Sequence, residues 1–426
     1  MKPCLVLSHA LHARNWIASR MLDKMTRAGL IGTVLMPSAL AVEMGGMNVP
    51  FGWDLRWLDP WIAARGQTKA LEALRLGMLV AGARRGGLNY RLKVQAKRRP
   101  LPAAEMLAWR ILSMVTDPLP VVRGLGRALP APRTPFPAGC THLILPTMIH
   151  DDAQQAGIVR AARRAGAPVW AIPAGFDNLV TKGAFLDQPD RLAVWGPASA
   201  RHAVEVQGFA PGQVTITGPP HFWPYSPLAR VPKLVMPTGT RYVVFAGTTV
   251  NYAADEVHVI KALADELGRH RETQDVVVLY RPHPRNRSGV IHPRVLMDPR
   301  WKGGWSSDPG DIPWIRTICE PAICTISAFS TVVLESALVG TPSILIGFGD
   351  SAHGTGKALD HAQYEHMAEI VGKPGVYLAE NIGQVVRLVR SLAEFPIPGL
   401  RKWAIELAAV DADPREALIT WMKETA

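Results

Sequence analysis

Twice along the 426 residues, short aliphatic and β-branched runs alternate with segments whose apolar residues recur every three or four positions. KPCLVLSHA and GTVLMPSA flank a predicted helix over 15–27. After a proline-rich stretch at 130–137, THLILPT, APVWAIP, RLAVWG and QVTITG alternate with predicted helices over 151–165 and 198–207. A second proline-rich stretch, GPPHFWPYSPLARVPKLVMPTG, breaks the rhythm. It restarts with RYVVFAGTT, QDVVVLYRPHP, RVLMD, AICTIS and PSILIGF, and helical patterns over 254–269, 312–318 and 331–338 lie between them. Amphipathic stretches over 382–392, 401–409 and 414–422 close the chain. Strand–helix alternation of this kind requires a parallel sheet covered by helices, and the length exceeds what one ordinary core fills. The expected architecture is α/β: two Rossmann-like doubly wound domains facing a cleft. We place them at 1–223, carrying a basic helical insertion over 54–137, and at 241–385, joined by a linker over 224–240 and followed by closing helices over 386–426.

Charge is unevenly spread. The chain carries a net charge of +12, and between Arg56 and Arg133 fifteen Lys or Arg stand against four acids, so nearly all the surplus lies in the insertion. Trp57, Trp61, Trp109, Leu74, Met78 and Met106 are interleaved with that charge. Basic helices with an apolar face are drawn to anionic lipid headgroups, which makes the inner-membrane surface the expected partner of 56–133. A solvated arginine-rich insertion is the plainer alternative. No nucleic-acid-binding signature accompanies the charge, so no nucleic-acid partner is expected. Cys4, Cys140, Cys319 and Cys324 form neither a CxxC pair nor a metal-ligand spacing, and no uncharged apolar run reaches the ~18 residues of a spanning helix. A cytoplasmic protein, peripheral on the membrane's cytoplasmic face, is expected.

Two segments carry the chemistry. VVVLYRPHPR reads as a buried strand ending in Arg281 and His283, and ICTISAFSTVVLESALVGTPSILI as a strand ending in Ser327, Ser330 and Thr331 before a helix that includes Glu335. In open α/β sheets ligands bind outside the carboxyl ends of the strands, where helix N-termini favour anions. Cations and hydroxyls gathered there suit a phosphorylated ligand. Each residue also has a plainer role: Arg281 pairing with a local carboxylate, Ser330 or Thr331 capping the helix, Glu335 capping it from within. Gly247 after RYVVFA would let backbone approach such a ligand, with Thr248 and Thr249 as hydrogen-bond partners. Gly347, Gly349, His353, Gly354 and Gly356 form a glycine-rich loop that we read as a mobile lid without specific chemistry.

The stretch GFDNLVTKGAFLDQPDRLAVWGPASARHAVEVQGFAPGQVTITGPPHFW resembles the FDNLTSKG, VWG and V-TG-P-x-F signature of a GT-B glycosyltransferase-like family of surface and capsular polysaccharide biosynthesis proteins. With RPHP and SxxSTxxxE, the resemblance spans about 141–349 and leaves out the basic insertion. Those two motifs are also similar to motifs of bacterial sialyltransferases, capsule Kdo transferases and teichoic-acid polymerases, where the resemblance implies contacts to the phosphates of a nucleotide donor. It implies a glycosyltransferase using a CMP- or UDP-sugar, with no further cofactor, for capsule or cell-envelope glycans.

On this reading His283 donates a hydrogen bond or proton to the leaving phosphate, and Arg281, Ser327, Ser330, Thr331, Gly247 and Thr248 hold the donor. Glu335 reaches the ribose or only caps its helix. Lys182 is expected on the donor phosphate. Candidates for the base that deprotonates the acceptor are Asp177 in the FDNL motif, His150 and Asp151 after THLILPT, and His9 and His12 after the first strand. No DxD pair stands at a strand end, and Asp151-Asp152 begins a helix, so metal-independent transfer is expected; an inverting outcome and a lipid-linked or surface-glycan acceptor are what the resemblance, with the basic insertion, implies. Two alternatives stay open: a nucleotide-sugar 2-epimerase on the same fold, and a non-catalytic scaffold at the membrane surface.

Overall fold

The computed structural model describes the chain except for residues 45–48, 59–102, 104–105, 108–109, 112–113, 116, 118, 129–133, 150–151, 232–239, 249–255, 287–288, 329, 349–361, 363 and 394–395, and except for the side chains of 122 and 152–154. It divides into two compact units. The first comprises Met1–His221 with Ala412–Ala426, the second Phe222–Asp411. Most of the basic insertion and most of the glycine-rich loop after Phe348 fall outside the described residues.

The first unit is built on seven strands: β1 (Pro3–Val6), β2 (Thr33–Met36), β3 (Asp54–Trp57), β4 (His142–Thr147), β5 (Val169–Pro173), β6 (Arg191–Val194) and β7 (Val214–Ile216). They lie in the order β3-β2-β1-β4-β5-β6-β7, every pair parallel. The second has six strands: β8 (Arg241–Ala246), β9 (Val276–Arg281), β10 (Val295–Met297), β11 (Thr325–Ser327), β12 (Ser343–Ile346) and β13 (Val376–Ala379). Their order is β10-β9-β8-β11-β12-β13, again all parallel. Both sheets grow outward from their first strand to the third, then resume on its other side with the fourth. This reversal defines the doubly wound topology.

Side-chain alternation explains why both faces are covered. Val243, Phe245, Val278 and Tyr280 pack with Val259, Ile260, Leu263 and Leu267 of the helix Glu256–Arg269, together with Val385 and Val389 of the helix Ile382–Leu392. The alternate residues Tyr242, Val244 and Leu279 pack on Ile315 and Ile318 of the helix Asp311–Cys319. A strand buried on both faces must be apolar at nearly every position, as VVVLY is.

Three features depart from the strand–helix pattern. The predicted helix over 15–27 is instead a short α-helix, Ala10–Ala13, a π-helical turn, Arg14–Ala18, and an α-helix, Met21–Arg27. The break falls at Arg20, whose backbone is left-handed (φ 58°), and Ser19 Oγ accepts from Met21 N. The start of the expected insertion, Asp54–Trp57, is the edge strand β3, and its side chains are largely exposed. Finally, the closing helices divide: Ile382–Leu392 and Leu400–Ala408 belong to the second unit, whereas Pro414–Glu424 returns to the first.

That return is firmly packed. Trp421 lies 5.0 Å from Trp170 of β5, Leu418 and Met422 are fully buried, Arg415 donates to the Ser19 carbonyl at 3.1 Å, and Lys24 pairs with Asp413 at 3.1 Å and with Glu416. Removal of residues 412–426 is expected to destabilise the first unit by on the order of 5 kcal/mol, given ~1.5–3 kcal/mol per buried side chain less the entropy of ordering the helix. Thermal unfolding with limited proteolysis should show the loss in the first unit alone.

Candidate functional site

Register places the expected phosphate-binding residues of the second unit on one edge. Ala246 pairs with both Arg281 and Ser327, and Ser327 pairs with Leu345, so β8, β9, β11 and β12 end at one level. Gly247, His283 and Ser330 follow directly from three of these ends. β8 and β11 flank the point where the strand order reverses, the position at which such sheets bind ligands.

The residues differ in what they offer there. Arg281 forms an ion pair with the fully buried Asp298, which also accepts from Trp314 Nε1 and from Arg300 N, each at 2.9 Å. Its guanidinium is thus engaged by a local carboxylate. His283 is held differently: its Nδ1 accepts from Arg285 N at 3.1 Å and its ring stands edge-on to Trp305 at 5.9 Å. Burial, with the Arg285 charge second, brings its pKa down to about 4. The imidazole is therefore neutral at pH 7, and with Nδ1 accepting, its proton sits on Nε2. His283 presents a hydrogen-bond donor.

Ser327 is 1% exposed, and its Oγ has no hydrogen-bond partner among the described residues. A buried hydroxyl without a partner is costly. Ser330 Oγ accepts from Val332 N at 3.4 Å, whereas Thr331 makes no side-chain cap to the seven-residue helix Val332–Leu338. Glu335 Oε1 accepts from Tyr225 OH at 3.2 Å.

Sequence reading missed Glu256, the first residue of its helix. It is 3% exposed, and burial pushes its pKa up against the pull of its hydrogen bonds. Oε2 accepts from Thr248 N at 2.9 Å; Oε1 accepts from Tyr280 OH at 2.5 Å and Asn286 Nδ2 at 2.7 Å. Gly247 is required beside it: a Cβ there would lie 2.6 Å from Glu256 Oε1 and 3.0 Å from His283 N. The glycine makes room for protein. An acid at a helix start resembles any dipole-compensating residue, so the sequence carried no sign of this network.

In the first unit, the FDNL motif is a self-bonded turn. Asp177 accepts from Thr181 Oγ1 at 2.5 Å and Asn178 Nδ2 at 3.1 Å, and Lys182 lies 3.6 Å from its Oδ2. Buried Gln207 secures the segment by donating to the carbonyls of Leu179 at 2.7 Å and Gly183 at 2.9 Å. His150 and Asp151 lie outside the described residues, as does Thr249. At the carboxyl ends of β1 and β4, Gln155 Nε2 donates to Ser8 Oγ at 3.0 Å, and Ser8 Oγ lies 3.3 Å from Nδ1 of buried His12. His9 Nδ1 caps the adjoining helix by accepting from Leu11 N at 3.0 Å. Buried Ile149 has φ 65°, a strained conformation for a β-branched residue, at the end of β4. Among the described residues no cluster of three or more His, Cys, Asp or Glu could hold a metal ion.

No protein-family model matches the chain, and no curated protein matches it. Solved structures do. The UDP-GlcNAc 2-epimerase of Methanocaldococcus jannaschii in complex with UDP-GlcNAc and UDP is 9% identical, with 100% of both chains covered and a TM-score of 0.51. The glycosyltransferase of kitacinnamycin is 11% identical, covering 99% of this chain and 98% of its own, with a TM-score of 0.53. The spinosyn rhamnosyltransferase SpnG is 14% identical, with 100% of both chains covered and a TM-score of 0.50. At such identities the likeness carries the fold. The chain has the GT-B fold, two Rossmann-like α/β domains, on which both glycosyltransferases and epimerases are built.

Arg281→Ala should leave Asp298 buried without its cation, at a cost of roughly 3 kcal/mol, the lower end expected for a broken buried pair because Trp314 and Arg300 still donate. Replacing both residues with neutral ones should recover much of that loss in chemical denaturation.

Proposed function

We propose that the chain is a glycosyltransferase that moves a sugar from a nucleotide donor, UDP- or CMP-linked, to a lipid-linked or surface-glycan acceptor such as a capsular polysaccharide. The observation that carries this reading is that strand register brings Ser327, whose hydroxyl has no partner among the described residues, and the neutral His283 to the same carboxyl edge of the second unit's sheet. Cleavage of a nucleotide sugar builds negative charge on the departing phosphate. Hydrogen-bond donors fixed toward that charge before it develops lower the barrier without reorganising. His283 Nε2–H and Ser327 Oγ–H take that role, with Ser330, Thr331 and the Gly247–Thr248 turn completing the donor side. Arg281 acts on it from its ion pair with Asp298, and Glu335 is assigned to the ribose.

The first unit takes the acceptor. Asp177, His150, Asp151, His9 and His12 remain the candidates for its base, and Lys182 is assigned to the donor phosphate. Transfer is proposed to be metal-independent and inverting, the protein's donors serving in place of a divalent ion.

A second reading, a nucleotide-sugar 2-epimerase, draws equal support from the fold. The insertion favours transfer to a lipid-linked acceptor. Its described part exposes Leu107, Ile111, Met114, Val121 and Leu125 beside Arg110 and Arg127. The helix Leu119–Ala128 is anchored through Arg123, which donates to the carbonyl of Gln207 at 2.8 Å. Among the described residues no helix is long and apolar enough to cross a membrane. Apolar side chains flanked by arginines suit the surface of an anionic bilayer, where a lipid-linked acceptor resides.

A panel of nucleotide sugars screened by thermal shift should yield one stabilising donor. Single-turnover transfer from it should fall about 100-fold in His283→Ala, as removal of a positioned proton donor usually costs, and should survive EDTA. Conversion of the donor with no acceptor present would establish the epimerase instead, and no donor binding would leave the scaffold reading. Flotation with vesicles containing anionic lipid should be lost on deletion of 56–133 while donor binding stays. A bound phosphate stabilises the imidazolium and raises the His283 pKa from about 4. UDP binding should therefore take up protons, with affinity rising as pH falls toward that value; calorimetry in buffers of differing ionisation enthalpy should show the uptake reduced in His283→Gln.

A further inference from the structure

We propose that Glu256 is a positioning residue for the donor site, a single buried carboxylate that ties the Gly247–Thr248 turn after β8 to the loop after β9 that presents His283. The proposal rests on the reading of the second unit as the donor side. An N-terminal acid that merely capped its helix would accept from its own first turn. Glu256 instead accepts from three groups on other elements: Thr248 N, Tyr280 OH and Asn286 Nδ2.

Asn286 is the link to His283. Its side chain donates to Glu256 at 2.7 Å, while its backbone N–H donates to the His283 carbonyl at 2.7 Å, closing the turn that holds the imidazole. Arg285 N–H in the same turn orients the ring through Nδ1. On the other side Gly247 N donates to the Arg281 carbonyl at 2.8 Å, and the absence of a Cβ at Gly247 lets the carboxylate and the His283 backbone meet against it. Tyr280 and Asn286 are 0% and 5% exposed, so water cannot replace a lost partner here. Only a carboxylate offers acceptors in both directions. A glutamine would turn an N–H donor toward one of its three donors.

The test uses the full chain and two readouts, UDP affinity by calorimetry and the His283 titration by NMR of its ring carbon, assigned with His283→Gln. In Glu256→Gln the oxygen keeps Tyr280 and Asn286 while the amide faces Thr248 N. UDP affinity should fall about tenfold, the worth of one such contact, and His283 should titrate as in the wild type. In Glu256→Ala both loops are released: affinity should fall about 100-fold, and the His283 pKa should rise from about 4 toward its ordinary value as burial is lost. Asn286→Ala should move the His283 titration in the same direction. Leu263→Ala, in the core face of the same helix, controls for stability loss and should move neither readout. Glu256→Ala and Asn286→Ala with an unmoved His283 titration, or Glu256→Ala with an affinity no lower than that of Leu263→Ala, would overturn the proposal. Wild-type protein that binds no UDP, with the His283 titration shifting as expected in the variants, would overturn the UDP donor reading and uphold the positioning role.

Discussion

Parallel strand pairing is the constraint on which the rest depends. Because every strand of each sheet runs the same way, every carboxyl end meets one edge, and the reversal of strand order between the first and fourth strands opens a gap between the helices there. In the second unit this brings Gly247, His283 and Ser327, spread over some eighty residues of sequence, to the ends of three adjacent strands. A register shift of one residue would turn the Ser327 hydroxyl to the sheet's other face and place Arg281 away from Asp298.

Charge at that edge is partly paired and partly withheld. Arg281 is occupied by Asp298, and Glu256 sits buried beneath the Gly247 turn among three hydrogen-bond donors. Burial holds His283 neutral at pH 7. Under the proposed function, a phosphate bound there would raise the His283 pKa and give the Ser327 hydroxyl a partner.

Runs such as VVVLY and SILI announce strands buried on both faces, so the two-domain α/β fold could be read, and RPHP and SxxST could be placed at strand ends. The partner of Arg281 could be anticipated only as some carboxylate, because Asp298 reaches it through the parallel pairing of β9 with β10. β3 went unread because an exposed edge strand lacks an apolar face, and the break at Arg20 because a left-handed arginine has no sequence mark. Glu256 was invisible for a different reason. Its role lies in which donors the fold turns toward it, and no spacing in the sequence encodes that.

The most direct test of the central claim is hydrogen–deuterium exchange of the full chain with and without UDP. The strongest protection is expected at 247–248, 283–286 and 327–331, which lie at or just after the carboxyl ends of β8, β9 and β11. Protection that left these turns unchanged and appeared elsewhere in the chain would contradict it.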